Sequence, residues 1–174
     1  MPQCYLALGG NEGDRLAHLR AAVSALGAHG LPVEDGSSVY ETSPVEAPGA
    51  QGDYLNAVVV VESDLEPRAL VAACLDVEKQ LGRVRAERHG PRVIDIDVLL
   101  CGDVVSAHPD ATVPHPRLHE RLFVLTPLRE LAADVVHPRL GETIETLYQR
   151  CLQTSGERVR LFAPPFALTE AAAG

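Results

Sequence analysis

The order in which short apolar runs alternate with helical patterns constrains the fold of this chain more than any other feature of its sequence. Residues 16–26 and 70–81 carry apolar side chains at spacings of three and four, which predicts two amphipathic helices. The segments that favour strands are residues 4–8, 37–42, 55–62 and 93–101. This βαββαβ order predicts an α+β, ferredoxin-like fold, with an antiparallel sheet and helices packed on one face. Loops or a ligand would then cover the other face, and additional C-terminal helices are predicted at 127–133 and 142–153.

A chain of 174 residues is of a size that suits one domain. We place this single domain at residues 1–160 and predict that residues 161–174 form a partly disordered tail. The four cysteines are far apart and match no metal-binding spacing, which indicates buried thiols in a reducing compartment. The N-terminus has no signal-peptide pattern, and no apolar run approaches the roughly 20 residues of a membrane helix. We therefore predict a cytoplasmic protein.

The charge balance excludes two classes of partner. The chain has 24 acidic and 15 basic residues, for a net charge of −9. A surface this acidic has no general attraction for nucleic acid or for a membrane of anionic lipid. A polyanionic ligand would have to be bound where arginine residues are locally concentrated.

Two carboxylates lie two residues apart in the last predicted strand. Asp95 and Asp97 therefore leave the same face of that strand, while Ile96 leaves the other. Adjacent carboxylates on a central strand would cost several kcal/mol in repulsion and lost hydration unless cations compensated them. Mg²⁺ commonly takes one or two carboxylates and completes its coordination with water and substrate phosphates. A solvated pair on an edge strand is the alternative interpretation.

The basic residues concentrate directly before these carboxylates. Four of the 15 fall within ten positions, and only Glu87 offsets them. They are Arg83, Arg85, Arg88 and Arg92. Guanidinium groups match phosphate oxygens in geometry and keep their charge at any working pH. The combination predicts a polyphosphate held between metal and arginine, although ion pairs with Glu78 and Glu87 would also account for these residues.

The segment RHGPRVIDIDVLL, residues 88–100, resembles the characteristic segment of the 6-hydroxymethyl-7,8-dihydropterin pyrophosphokinase family. The resemblance covers most of residues 4–150 in order. Its other segments are LALGGN at 6–11, VYETSPV at 39–45, DYLNAVV at 53–59, LGRVR at 81–85, TVPHPRLHER at 112–121 and FVLTPL at 123–128. It implies transfer of pyrophosphate from ATP to the pterin alcohol in folate synthesis, with AMP as the other product.

The resemblance also implies a metal and ATP site. Two Mg²⁺ ions would be bound by Asp95 and Asp97, and Arg83 and Arg92 would act in catalysis. The ATP-binding residues that it implies are Glu78, Arg85, Arg88, Arg92, Val98, Thr112, His115 and Arg121.

On the pterin side, the resemblance implies two aromatic walls and an amide that recognises the pterin edge. Tyr54 and Phe123 match the walls, and Asn56 matches the amide. The remaining pterin-binding residues that it implies are Gly10, Thr42, Pro44, Val45, His89 and Asp95. The segments 43–52 and 83–91 are rich in glycine, proline and polar residues, and we expect them to close over the substrates and exclude water.

Two other functions are alternatives, of which the first would use the same aspartate pair. A metal-dependent nucleotidyltransferase or phosphodiesterase would turn over nucleotide without a pterin. A non-catalytic pterin- or nucleotide-binding protein would turn over neither substrate. We expect a monomer or a weak dimer that binds ATP and a pterin.

Overall fold

The computed structural model describes residues 1–43, 52–82 and 93–165 of the chain. Most of the two segments predicted to close over the substrates, and the last nine residues of the predicted tail, lie outside these ranges. So do Pro44, Val45, Arg83, Arg85, Arg88, His89 and Arg92.

The described strands form one six-stranded antiparallel sheet and a separate two-stranded hairpin. The order in the large sheet is β5-β1-β4-β3-β8, and β2 pairs with β4 beside β3. Its strands are β1 (Gln3–Gly10), β2 (Val33–Gly36), β3 (Val39–Thr42), β4 (Tyr54–Glu62), β5 (Asp95–Cys101) and β8 (Val159–Ala163). The hairpin consists of β6 (Ser106–His108) and β7 (Ala111–Val113). The fold class predicted from the sequence is confirmed, with β1 and β4 at the centre.

Four helices cover the two faces of the sheet. They are α1 (Arg15–Ala28), α2 (Pro67–Gln80), α3 (Leu122–Ala132) and α4 (Ile144–Thr154). The side chain of Asp14 accepts a hydrogen bond from the amide of Ala17, which caps α1, and Pro67 occupies the first turn of α2. Both devices are local, so both were predictable from the sequence.

The two faces carry separate apolar cores. Leu6, Leu8 and Val59 belong to the core under α1 and α2, while Tyr5 and Val60 belong to the core under α3 and α4. Neighbouring residues of one strand thus serve opposite faces, as strand geometry requires. The expectation that only loops or a ligand would cover the second face was wrong, because α3 and α4 pack on it.

Three further differences concern short or distant elements. The hairpin of β6 and β7 was not predicted, since strands of three residues give no periodic signal. α3 begins at Leu122, whereas the predicted helix began at Pro127. β8 extends across residue 160, so residues 161–163, assigned to the tail, belong to the sheet. The four cysteines are free and buried, as predicted.

Candidate active site

Among the described strands β5 is an edge strand, not the central strand assumed for the aspartate pair. A cavity of about 600 Å³ lies beside this strand. It brings together eleven of the residues predicted to form the site. These are Thr42, Tyr54, Asn56, Glu78, Asp95, Asp97, Val98, Thr112, His115, Arg121 and Phe123. Gly10 is not among the lining residues, and its neighbour Gly9 is. Gly10 pairs with the core residue Leu55, whereas Gly9 pairs with Asn56.

The register of three neighbouring strands builds the floor of this cavity. Gly9 of β1 is paired with Asn56 of β4 on one side and with Asp95 of β5 on the other. Paired residues share a face, so the amide and the carboxylate both project into the cavity across Gly9. The strands that carry them are two strand spacings apart, roughly 9.5 Å. In the next row, Ala7 is paired with Asp97. Gly9, which has no side chain, and Ala7 therefore form the floor between the carboxylates and the amide.

Gly9 is required by close approach. A Cβ at this position would lie 2.7 Å from Oδ1 of Asn56. Asn56 is 9% exposed, and its Nδ2 donates a hydrogen bond of 2.6 Å to Oγ1 of Thr42. This bond orients the amide so that its oxygen lies over Gly9. The role of Gly9 was missed from the sequence, although the alternation between Gly9 and Gly10 carries the signal once the strand register is known.

Glu78 approaches β5 from the side opposite β1. Its side chain is 2% exposed, and its Oε2 accepts a hydrogen bond of 2.6 Å from the amide of Ile96. Ile96 lies between the two aspartates, on the open edge of the sheet. A buried carboxylate that accepts an edge amide satisfies a group that would otherwise lack a strand partner. Glu78 thus holds the strand that carries Asp95 and Asp97.

The aspartate pair suits a hard divalent cation. Within the described ranges, no group of three or more His, Cys, Asp and Glu side chains forms a ready-made metal cage. Two carboxylates on one face, beside Gly9 and Ala7, instead leave room for water and for phosphate oxygens as the remaining ligands. This donor set is the one that Mg²⁺ takes in nucleotide-dependent enzymes.

The cavity also has a basic wall. His115, Arg117 and Arg121 line the cavity, and the guanidinium carbon of Arg121 lies 5.6 Å from the centre of the Phe123 ring. Arg117, which was not predicted, makes a 3.4 Å ion pair with Glu120. The backbone amide of Arg117 donates to Nδ1 of His115 at 3.1 Å. Because Nδ1 accepts, the neutral His115 ring carries its proton on Nε2.

The His115 ring is expected to stay neutral at pH values well below the usual pKa of a histidine. Burial, with the nearby charges of Arg121 and Arg117, lowers its pKa to about 4 from 6.5. The unfolded chain therefore binds the extra proton first as the pH falls. The contribution of His115 to stability is complete above pH 6.5 and is lost as the pH falls through about 4. An NMR titration, with the ring signal assigned from the spectrum of His115→Asn, checks this value. A midpoint near 6.5 would contradict it.

Comparison with known proteins identifies the family. Residues 5–133 match the family model described as 7,8-dihydro-6-hydroxymethylpterin-pyrophosphokinase (HPPK). The chain belongs to this family. The predicted family and enzyme class are thereby confirmed.

Curated relatives of the same family match this chain in sequence over most of their length. Three of them are named 2-amino-4-hydroxy-6-hydroxymethyldihydropteridine pyrophosphokinase. The protein from Bacillus subtilis is 43% identical over 132 residues, covering 75% of this chain and 78% of its own. The protein from Methylorubrum extorquens is 41% identical over 160 residues, covering 91% and 99%. The protein from Synechocystis is 39% identical over 152 residues, covering 85% and 77%.

Solved structures support the fold. The Plasmodium falciparum HPPK-DHPS A437G structure with SDX-DHP matches with a TM-score of 0.72 at 15% identity, over 87% of this chain and 46% of that one. The wild-type structure with pteroate gives a TM-score of 0.67 at 14% identity, over 87% and 44%. This HPPK-family chain thus spans less than half of those two HPPK-DHPS chains.

Proposed function

We propose that this chain transfers the pyrophosphoryl group of ATP to 6-hydroxymethyl-7,8-dihydropterin, giving the pterin diphosphate and AMP in folate synthesis. The observation that carries the proposal is the row of Asn56, Gly9 and Asp95 across three strands. It offers an amide and a carboxylate on strands about 9.5 Å apart, with a floor of small residues between them. A planar bicycle with an amide-rich edge at one end and a reactive alcohol at the other suits that spacing.

The pterin slot is formed by aromatic and polar side chains from two layers. Tyr54 and Asn56 come from β4, and Phe123 comes from the first turn of α3. Aromatic walls suit a flat ring, and the Asn56 amide, oriented by Thr42, suits its polar edge. We keep Pro44, Val45 and His89 as proposed pterin contacts on the strength of the family resemblance.

ATP would lie around the β5 edge, between the aspartates and the basic wall. Two Mg²⁺ ions bound by Asp95 and Asp97 would supply Lewis-acid polarisation and charge neutralisation at the phosphates. Arg121 and the Nε2–H of His115 would donate to phosphate or ribose oxygens, with Arg117 as a further cation nearby. Glu78, Val98 and Thr112 would line the nucleoside side. Arg83, Arg85, Arg88 and Arg92 stay as proposed triphosphate ligands.

The main task of the protein in this reaction is to align the two substrates. The pterin hydroxymethyl oxygen forms a bond to the β-phosphorus of ATP, and the bond from that phosphorus to the bridging oxygen of AMP breaks. Asn56 and the aromatic walls would hold the pterin so that its oxygen faces that phosphorus in line. The basic wall would compensate the negative charge. No covalent nucleophile is needed.

We propose a cytoplasmic monomer or weak dimer that binds neither nucleic acid nor membrane, in keeping with its net charge of −9. No helix in residues 1–43, 52–82 and 93–165 has the length and apolar character needed to cross a membrane.

One assay tests the reaction. The protein is incubated with ATP, Mg²⁺ and 6-hydroxymethyl-7,8-dihydropterin, and AMP is followed with and without the pterin. We expect AMP to form only when all three are present. AMP release without the pterin would indicate a phosphodiesterase or nucleotidyltransferase, and no AMP under any condition would indicate a non-catalytic binding protein.

A further inference from the structure

The segment that follows α4 contacts two parts of the proposed pterin slot, the turn that carries Phe123 and the strand that carries Thr42. It comprises residues 155–163, beyond the part of the chain that matches the family model, which ends at residue 133. Glu157 contacts the first turn of α3, which carries Phe123. β8 then pairs with β3, which carries Thr42. We infer that this segment is a brace for the site, with Glu157 as a positioning residue for Phe123 and Arg121. This inference rests on the proposed function.

The N-terminus of α3 has no cap of its own. Arg121, in the N-cap position, makes no side-chain capping hydrogen bond. The amides of Val124 and Leu125 both reach the carbonyl of Arg121, at 3.1 and 3.0 Å. The amides of Leu122 and Phe123 are left without a partner inside the helix, as helix geometry dictates.

Glu157 accepts both of these amides. Its Oε2 accepts from Leu122 at 3.0 Å, and its Oε1 accepts from Phe123 at 3.4 Å. The hydroxyl of Ser155 donates to Oε2 at 2.8 Å, and the amide of Glu157 donates back to that hydroxyl at 3.1 Å. The hydrogen bonds with Ser155 therefore orient the carboxylate towards the helix. A negative charge at a helix N-terminus is also electrostatically favourable.

The position of the Phe123 wall depends on that contact. Phe123 is one of the two residues whose amides Glu157 holds, and Arg121 directly precedes this turn while its guanidinium lies over the Phe123 ring. Both side chains line the cavity. If the carboxylate is lost, the first turn of α3 can fray, and the ring and the guanidinium then lose their fixed positions.

The β8 half of the brace supports the side of the slot that carries Thr42 and Asn56. Val159 is paired with Thr42, whose hydroxyl accepts the hydrogen bond that orients Asn56. Arg160 adds ion pairs to Glu41 at 2.6 Å and to Asp53 at 3.3 Å. The Arg160 side chain is 66% exposed, so these pairs contribute little. Backbone pairing is the larger effect in β8, and Glu157 is the better side chain for a test.

The experiment compares Glu157→Ala with Thr143→Ala. Thr143 caps α4 by accepting from the amide of Thr146, and α4 packs against α3. Both variants lose one helix cap, and we expect both to lower Tm. Only Glu157→Ala is expected to raise KM for the pterin, by about tenfold (about 1.4 kcal/mol). Its kcat at saturating pterin should change less than its KM.

Two conservative variants extend the test to proteins that retain more of the fold. Asp at position 157 keeps two carboxylate oxygens, whereas Gln keeps one acceptor oxygen. We expect the pterin KM to increase in the order wild type, Glu157→Asp, Glu157→Gln, Glu157→Ala. Binding of 6-hydroxymethylpterin, followed by pterin fluorescence, should give the same order, and the absence of tryptophan leaves that signal free of overlap.

Three results would overturn the inference. They are a wild-type pterin KM in both Glu157→Gln and Glu157→Ala, an equal increase in Thr143→Ala, and an increase in the ATP KM alone. A wild-type enzyme without pterin-dependent AMP would overturn the proposed function and this inference with it. Normal wild-type turnover with an unchanged Glu157→Ala variant would overturn the brace alone.

Discussion

Asp97→Ala is expected to lower kcat by about three to four orders of magnitude, the equivalent of roughly 4–5.5 kcal/mol of transition-state stabilisation. Asp97 is exposed in the cavity next to Ala7, and its carboxylate is one of the two proposed Mg²⁺ ligands. Its loss removes a negative group that positions the cation at the phosphates. The fold should survive, because an exposed strand position tolerates Ala at small cost. Steady-state kinetics over a range of Mg²⁺ concentrations, together with Tm, check this result.

Asp103→Ala is the matched control for Asp97. Asp103 is exposed just after β5, outside the cavity, and its replacement removes the same charge from the neighbourhood of the same strand. We expect this variant to keep near-normal turnover. If Asp97→Ala also kept it, the proposed metal site would be wrong.

Gly9→Ala is expected to lower kcat/KM for the pterin by about 100-fold, the penalty expected when a positioning group moves by about 1 Å. The new Cβ would meet Oδ1 of Asn56 at 2.7 Å, so the amide must move. Its hydrogen bond to Thr42 would then be strained or lost. Asp95, on the other side of Gly9, should keep its place because it belongs to a different strand.

Gly27→Ala provides the control for that substitution. Gly27 lies in α1, and nothing lies within 4 Å of the point that a Cβ would occupy, so Ala adds a methyl group without a clash. In a helix this change should stabilise the protein by about 0.5–1 kcal/mol and leave the kinetics unchanged. A Gly9→Ala variant with the kinetics of Gly27→Ala would show that Asn56 does not need its present position.

Local signals accounted for the parts of the fold that could be predicted. The helical spacing in α1 and α2, the cap at Asp14 and the alternation in β5 each depend on residues close in sequence. The register that sets Gly9 between Asn56 and Asp95 depends on three strands far apart in the chain. Periodicity identifies the face of a residue but not its neighbour on the next strand.

The start of α3 shows the same limit at a single residue. Pro127 is a common first-turn residue, so the local pattern favoured a start there. The helix begins at Leu122, where Glu157, far along the chain, accepts its first amides. No local sequence motif can predict a helix cap that is supplied by a distant segment of the chain. The family resemblance pointed to eleven residues that line the cavity, whereas the parts proposed for Gly9 and Glu157 depend on contacts between distant segments.

The brace also has a consequence for biosynthesis. Translation produces β1, β4 and β5 before residues 155–163, so the floor of the cavity can assemble while Phe123 and Thr42 still lack their support. Contacts that join such distant parts of a chain form late and slowly. We expect a nascent chain that ends before Glu157 to collapse around its sheet yet bind the pterin poorly. The ability to bind the pterin would then appear in one late step of synthesis.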